Sequence, residues 1–170
     1  MGGGLLAKAS IHATLQLAPD QGVEVEVGIA EAPQGSFRAA QGSIAWVWTL
    51  DRAVGSASAA VTRTEFSAGI ETFRAARRDG TSRAITTDVL KVSRFGSPHL
   101  YLSGQARSAI AGDAGGYSAG FFGVGWYQPL HTRWYASAEL LAGAAGGGGV
   151  ETSGGVLLQP MVAVGYRLRG

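Results

Sequence analysis

The last stretch of the chain, GGVLLQPMVAVGYRLRG (residues 154–170), alternates between two kinds of side chain. From Val156 to Leu168 the even-numbered positions are nearly all apolar, whereas the odd-numbered positions include Gln159, Gly165 and Arg167. Alternation with a period of two is typical of a β-strand whose two faces meet different surroundings. The segment therefore predicts a strand with one continuous apolar face, and it raises the question of what covers that face.

Eight other segments show the same alternation, and no segment shows a comparable helical period. The alternation is least regular around Asp88 and Lys91, which have opposite parity. Residues 116–127 are aromatic on both faces, which a bulge would explain. The nine candidate strands are residues 5–17, 23–31, 43–51, 61–73, 83–92, 99–110, 116–127, 133–142 and 156–168. We therefore predict an all-β fold in a single β-barrel domain that covers residues 1–170.

Composition excludes several classes of protein. The chain has no cysteine, which excludes disulfides, thiolate metal sites and a cysteine nucleophile. Its formal net charge of +2 is too small to indicate a nucleic-acid partner. No apolar run is long enough for a membrane helix, and the opening MGGGLLAKAS lacks the basic and apolar regions of a signal peptide. If the protein is exported, we expect its leader to be missing from this sequence.

The charged residues of the candidate strands lie almost entirely on the parity opposite the apolar side chains. They are Lys8, Glu24, Glu26, Asp51, Arg63, Glu65, Glu71, Arg107, Glu139 and Arg167. A water-soluble barrel or sandwich fits this parity, and so does a membrane barrel with an ionic lumen. The apolar parity is rich in alanine and β-branched residues and has Trp and Tyr near strand ends, which favours the membrane barrel.

The sequence VAVGYRL (residues 162–168) resembles the C-terminal strand of the small bacterial outer-membrane barrels of the Ail/OmpX type. In that family Phe stands where this chain has Leu168, and here two further residues follow. The resemblance implies a closed, antiparallel, up-and-down transmembrane β-barrel of about eight strands in the bacterial outer membrane. The charged residues above would then form an ion network in the lumen. The residues expected to face lipid are Trp46, Trp48, Trp134, Val162, Val164, Tyr166 and Leu168.

The number of candidate strands is odd, whereas bacterial single-chain barrels have an even number. We therefore expect one of the nine segments not to be a strand. Omitting residues 5–17 leaves short and longer connections that alternate well along the chain. Omitting residues 83–92 keeps the more regular alternation at the N-terminus, but it requires a connection of about twenty residues, which is uncommon. The sequence leaves both choices open.

One group of residues suggests hydrolysis. His12 shares a face with Ser10 and, across the predicted hairpin, with Glu24 or Glu26, which has the composition of a serine, histidine and acid triad. Filling of a polar lumen is the simpler interpretation, because no GxSxG motif surrounds Ser10. No histidine spacing predicts a metal site, and no cofactor is expected.

Two loop sequences suggest anion binding. The stretch RAARRDGTSR (residues 74–83) could bind lipopolysaccharide phosphates, since guanidinium groups make bidentate contacts with phosphate. The residues concerned are Arg74, Arg77, Arg78 and Arg83, although a solvated loop is the simpler interpretation. The glycine-rich residues 142–155 lack the Lys and Ser/Thr pair of a phosphate-binding loop, and they predict a loop without that function.

The leading hypothesis is a small outer-membrane barrel with a structural, adhesive or lipid-contacting role. Its lumen is predicted to be filled with ion pairs, so it is not expected to form an open pore. Three alternatives remain: a lipid A-modifying enzyme of the deacylase kind on the same barrel, a soluble barrel that encloses a ligand, and a subunit or fragment of a larger pore. Membrane lipid is the expected partner, and the sequence does not predict an oligomeric state.

Overall fold

The computed structural model describes residues 3–33, 38–52, 63–152 and 154–169, and these residues form β-strands joined by turns and loops. The strands are β1 (Gly3–Leu5), β2 (Ala7–Ala18), β3 (Gln21–Glu31), β4 (Arg38–Arg52), β5 (Arg63–Ala76), β6 (Ser82–Phe95), β7 (Leu100–Ala111), β8 (Ser118–Pro129), β9 (Trp134–Gly146) and β10 (Val156–Arg169). The described part of the chain holds no helix that is long and apolar enough to cross a membrane.

Strands β2 to β10 close into one barrel. Each strand from β2 to β8 pairs antiparallel with the next, β9 pairs antiparallel with β10, and β10 also pairs with β2. The β10–β2 pairing is parallel and runs from Met161 opposite Lys8 to Arg169 opposite Gln16. The short strand β1 continues the line of β2 and pairs in parallel with the start of β10. The fold is thus a closed nine-stranded barrel with one extra short strand.

The expectation that one candidate segment is not a strand is wrong. Residues 5–17 are almost wholly in β1 and β2, and residues 83–92 lie within β6. An even number of strands is required only when every neighbouring pair is antiparallel, because the first and last strands must then run in opposite directions. The parallel β10–β2 pair removes that requirement, so all nine segments belong to the barrel.

The pairing register determines how the strands slope. A path through directly paired residues, from Leu15 through Trp46, Leu90 and Val156, goes once around the barrel and ends at Gly3. Gly3 lies 12 positions before Leu15 on the same side of the seam, and this difference is the stagger of the barrel. This stagger in a nine-stranded barrel corresponds to a strand tilt of about 40°. Barrel strands of 11 to 15 residues then rise about 28 to 38 Å along the barrel axis.

The two ends of the barrel differ. The connections at residues 19–20, 53–62, 96–99 and 130–133 lie at one end, called the turn end here, where β10 also finishes. All of them are short except 53–62, which lies outside the described residues. The connections at residues 77–81, 112–117 and 147–155 lie at the opposite end, called the loop end. In the last of these, Gly147 to Gly149 have positive φ, and a Cβ on Gly148 would overlap the carbonyl group of Ala114. The glycine run therefore allows two loops to pack closely together.

Side chains alternate between the outside and the lumen. The outward positions are apolar and exposed, as at Ile11 (63% exposed), Leu102 (64%) and Phe122 (78%). The inward positions include charged residues with little exposure, such as Glu71 (3%). This distribution is the reverse of the one in a water-soluble barrel, where apolar side chains fill the interior.

The four tryptophans of the chain lie on the outer face towards the turn end. Trp46 and Trp48 pack 6.0 Å apart between ring centroids, and Trp134 packs on Tyr166 at 4.9 Å. The seven residues expected to face lipid all have outward parity in the strands. At the loop end the outer face becomes polar, with Glu31 paired opposite Arg38.

Candidate functional site

The lumen is the part of the molecule in which chemically active side chains come together, and it is filled by three layers of side chains. The layer at the loop end is apolar and combines strand residues with residues of two loops. Its buried members are Ala75, Ile85, Ala114, Tyr117, Ala119, Phe121, Leu141, Ala145 and Val150. This layer leaves the loop end of the lumen packed with side chains.

Arg77 forms hydrogen bonds with two loops that lie next to the apolar layer, at residues 112–117 and 147–155. Its guanidinium donates hydrogen bonds to the carbonyl oxygens of Gly148 (2.6 Å), Gly112 (3.2 Å) and Asp113 (2.5 Å). The side chain is buried, and its guanidinium group is hydrogen-bonded to these three backbone carbonyl oxygens. Arg77 therefore holds the connections at residues 112–117 and 147–155 together through their backbone carbonyl groups.

The other three arginines of that stretch are exposed at the loop end. Arg83 lies 3.4 Å from a carboxylate oxygen of Asp113, and Arg74 and Arg78 are exposed to solvent. In the same connection, the hydroxyl and the backbone N–H of Thr81 both donate hydrogen bonds to Asp79 Oδ1. These hydrogen bonds lower the pKa of the Asp79 carboxyl. Three of the four predicted arginines thus remain accessible.

The middle layer of the lumen is ionic. Lys8 Nζ lies 3.0 Å from carboxylate oxygens of both Glu26 and Glu71, and Arg107 Nη1 lies 3.1 Å from the second oxygen of Glu71. Gln41 donates to Glu26 at 2.9 Å. Two cations and two carboxylates are thus joined in one buried group. Such charges are costly to bury unless they remain paired and hydrogen-bonded.

A second ion pair extends this layer. Lys91 Nζ lies 2.9 Å from Glu139, and Gln105 connects Glu139 to Arg107 through hydrogen bonds of 3.4 and 3.1 Å. Glu139 was among the residues expected in the network, whereas Lys91 was not, because the alternation around it is irregular. The signal that could have found Lys91 is its odd position, which it shares with Ser93 on the same strand.

The remaining residues of the expected network are distributed differently. Glu24 pairs with His12, whose Nδ1 lies 3.2 Å away, and Arg63 pairs with Glu65 at 2.7 Å near the turn end. Arg167 makes no ion pair within the described residues and lies against tyrosine rings. The side chain of Asp51 is outside the described part of the structure.

Ser10, His12 and Glu24 have the spacing of a serine hydrolase triad. Ser10 Oγ lies 3.0 Å from His12 Nε2, and His12 Nδ1 lies 3.2 Å from Glu24 Oε1. Glu26 lies farther from the ring, at 3.9 Å, so the acid is Glu24 in this geometry. When Nδ1 carries the hydrogen and donates it to Glu24, Nε2 can accept the hydroxyl proton of Ser10.

Access to this triad comes from the histidine side. A cavity of about 450 Å³, called the vestibule here, extends into the lumen from the turn end, and both His12 and Glu24 line it. Ser10 is 8% exposed and lines neither the vestibule nor the smaller cavity beside it. A substrate would have to displace His12 before it could meet the serine oxygen.

Aromatic side chains form the third layer, around the vestibule. Phe95, Tyr101, Tyr127 and Tyr135 pack as one buried cluster. The guanidinium carbon of Arg63 lies 3.4 Å from the ring centroid of Phe95, a cation–π arrangement. The alternation pattern does not predict this cluster, because its members come from four different strands.

The lumen can therefore do three things: its packed layers can block solutes, its serine and histidine can transfer a proton, and its vestibule can hold a small molecule. No family model matches the chain, and neither a curated protein nor a solved structure matches it.

Proposed function

We propose that this chain is a transmembrane β-barrel of the bacterial outer membrane that stays closed to solutes and has a structural or lipid-contacting role. The observation that carries the proposal is the reversed distribution of side chains. Outward residues such as Ile11 and Leu102 are exposed, while Glu71 and its partners are buried inside. Each Å² of apolar surface left in water costs about 25 cal/mol, and a hydrocarbon surrounding removes that cost.

The dimensions of the outer face support a membrane span. The apolar band extends from the tryptophans at the turn end to a polar rim at the loop end that includes Arg38 and Arg74. Register and tilt give this band a height of about 25 Å, as in outer-membrane barrels. Aromatic residues at one border of the band match the girdles that such barrels place at the lipid headgroups.

The filling of the lumen supports a closed barrel. A solute that entered from the turn end would meet the ion pairs of Lys8 and Glu71 and then the apolar layer around Ile85 and Leu141. Both layers consist of buried side chains. Their displacement would expose paired charges and apolar surface together, which opposes opening.

A lipid-contacting role draws support from the loop end. Arg74, Arg78 and Arg83 are exposed there, next to the polar border of the apolar band. Outer-membrane barrels direct their short turns to the periplasm, so the loop end would meet the outer leaflet. Guanidinium groups at that level suit the phosphates of lipopolysaccharide.

The first test is the dependence of folding on detergent. The denatured chain should gain β-structure, measured by circular dichroism, when it is diluted into detergent micelles but not into buffer. The folded protein should also migrate differently from the boiled protein on a gel, because a closed barrel resists unfolding in cold detergent. A monomer that folds and stays soluble without detergent would rule the proposal out.

A second candidate function is ester or amide hydrolysis within the same barrel, and the Ser10, His12 and Glu24 geometry favours it. If the triad works, Ser10→Ala and His12→Ala should each abolish deacylation of lipid A by cells that express the protein. Ser137→Ala, a vestibule serine outside the triad, is the matched control. Unchanged lipid A acylation in the presence of the wild-type protein would exclude this candidate.

A further inference from the structure

The vestibule at the turn end has the dimensions of a ligand site. Its volume of about 450 Å³ lies in the usual range for small-molecule pockets, roughly 300–1,000 Å³. Tyr101, Tyr127 and Tyr135 line it together with hydroxyl and amide side chains. The proposed membrane span gives this cavity no role, and the candidate triad uses it only as the approach to His12.

Two of the three acidic groups on the vestibule wall have side-chain partners. Glu24 pairs with His12, and Glu65 pairs with Arg63. The remaining acid on the wall, Asp20, lies on the exposed turn between β2 and β3. Glu65 is thus charge-paired with Arg63, whereas the contact of Glu24 with His12 cancels its charge only when the imidazole is protonated.

The cations on the wall are not fully neutralised. Arg167 has no carboxylate within salt-bridge distance in the part of the chain that the structure describes. Its guanidinium carbon lies 5.5 Å from the ring centroid of Tyr127 and 5.3 Å from that of Tyr135. Arg63 lies 5.2 Å from the same Tyr127 ring, and it uses only Nε to bind Glu65. Two guanidinium groups thus lie beside the ring of Tyr127, and only that of Arg63 has a carboxylate partner.

Tyr127 adds an unpaired polar group at the same place. Its hydroxyl is buried and has no hydrogen-bond partner among the described residues. A buried hydroxyl without a partner is unfavourable, and this cost disappears when a ligand atom accepts its hydrogen. A bound anion would also reduce the repulsion between Arg63 and Arg167.

We propose that the vestibule binds a small organic anion, with its carboxylate or phosphate at Arg167 and Arg63 and its ring or apolar part against Tyr127 and Tyr135. A guanidinium group offers a planar pair of donors for an oxyanion, and aromatic walls favour a flat, apolar body. Neutral and cationic analogues of the same shape bind less well, because they leave the arginine charge uncompensated.

The test is calorimetric titration of the refolded protein in detergent with benzoate, with benzamide as its neutral analogue of the same shape. Benzoate should bind saturably, and benzamide should bind at least tenfold more weakly. Arg167→Gln should weaken benzoate binding at least tenfold, whereas Arg167→Lys, which keeps the charge, should retain most of it. Inorganic phosphate should compete with benzoate if the charge alone is recognised.

The matched control is Arg133→Gln. Arg133 is exposed at the same end of the barrel, and its side chain donates a hydrogen bond to Tyr166 on the outer face. This variant should bind benzoate like the wild type. Gel mobility of the unboiled protein shows whether each variant is folded, so loss of the barrel and loss of the site are separate results. No saturable benzoate binding by folded wild-type protein, equal binding of benzamide, or full binding by folded Arg167→Gln would overturn the proposal.

Discussion

Two tyrosines of the lumen lie over glycines of a neighbouring strand. Tyr135 is paired directly opposite Gly165, and Tyr101 is paired opposite Gly125. A Cβ on either glycine would overlap the tyrosine ring. An aromatic ring that covers a cross-strand glycine shields the bare backbone and fixes the ring in place. These glycines therefore place the tyrosines around the vestibule.

A first prediction concerns Gly165. Gly165→Ala should lower the free energy of unfolding by about 1–3 kcal/mol, because the added methyl group displaces the Tyr135 ring from a packed layer. The measurement is urea-induced unfolding in micelles, followed by tryptophan fluorescence. Gly120→Ala is the control, since its added methyl group would meet open space on the outer face. Equal unfolding midpoints for the two variants would contradict this explanation.

The buried charges provide a second prediction at the same scale. Glu71→Gln removes a carboxylate that contacts both Lys8 and Arg107, so it should cost about 3–5 kcal/mol of unfolding free energy. Glu65→Gln breaks a more exposed pair with Arg63 and should cost about 1 kcal/mol or less. If the two substitutions cost the same in urea titrations, the central ion layer does not stabilise the barrel as described.

The element that decides the architecture is β10, because it closes the barrel by pairing with strands on both sides. Its parallel ladder with the first strand is interrupted between β1 and β2, opposite the position of Pro160. Proline has no backbone N–H to donate, which accounts for a break in a ladder at this point. The interruption explains why the first strand is divided into two elements, β1 and β2.

A third prediction tests the parallel seam through cross-linking, which is convenient because the chain has no cysteine. Val164 and Ile11 are direct partners across β10 and β2. The double variant Val164→Cys with Ile11→Cys should therefore form a disulfide under mild oxidation, seen as a mobility shift that a reductant reverses. Val164→Cys with Leu15→Cys places the thiols four residues apart along β2 and should not cross-link. Preferential cross-linking of the control pair would mean a different register.

The sequence could predict the strands but not how the barrel closes. Alternation identified all nine barrel strands, including 83–92, where it is least regular because Asp88 lies on the outward face. Closure depends on β10 meeting β2, a pairing between distant residues for which no local pattern exists. The even-number rule then led to the wrong expectation. For the same reason, the aromatic cluster and the contacts of Arg77 were not foreseen, whereas the Ser10 and His12 proximity followed directly from two positions on one strand face.

At the scale of the whole molecule, charge and hydrophobicity are arranged in opposite senses inside and outside. The outer band is apolar and is bordered by tryptophans at the turn end, whereas the lumen combines ion pairs, a vestibule and an apolar layer. The sheet closes within one chain, so barrel formation needs no strand from a second copy. The whole barrel is thus consistent with a single closed unit in lipid.

A fourth prediction follows from the packed lumen. Protein reconstituted into a planar lipid bilayer should show no stable conductance steps, because the ion pairs and the apolar layer fill the path between the two ends. A porin reconstituted in the same bilayers provides the positive control. Reproducible steps of constant size from the purified barrel would show that the lumen conducts and would contradict a closed barrel.

The most direct measurement of the central claim is the depth of Val162 in a bilayer. A fluorophore attached to Val162→Cys in liposomes should be strongly quenched by lipids that carry a nitroxide in the middle of the acyl chain. The same fluorophore on Thr132→Cys, in the exposed connection between β8 and β9, should be quenched much less. We also predict that a water-soluble maleimide labels only the second variant in liposomes. Rapid labelling of Val162→Cys by that reagent, with no quenching by the nitroxide lipids, would contradict a barrel whose apolar face meets lipid.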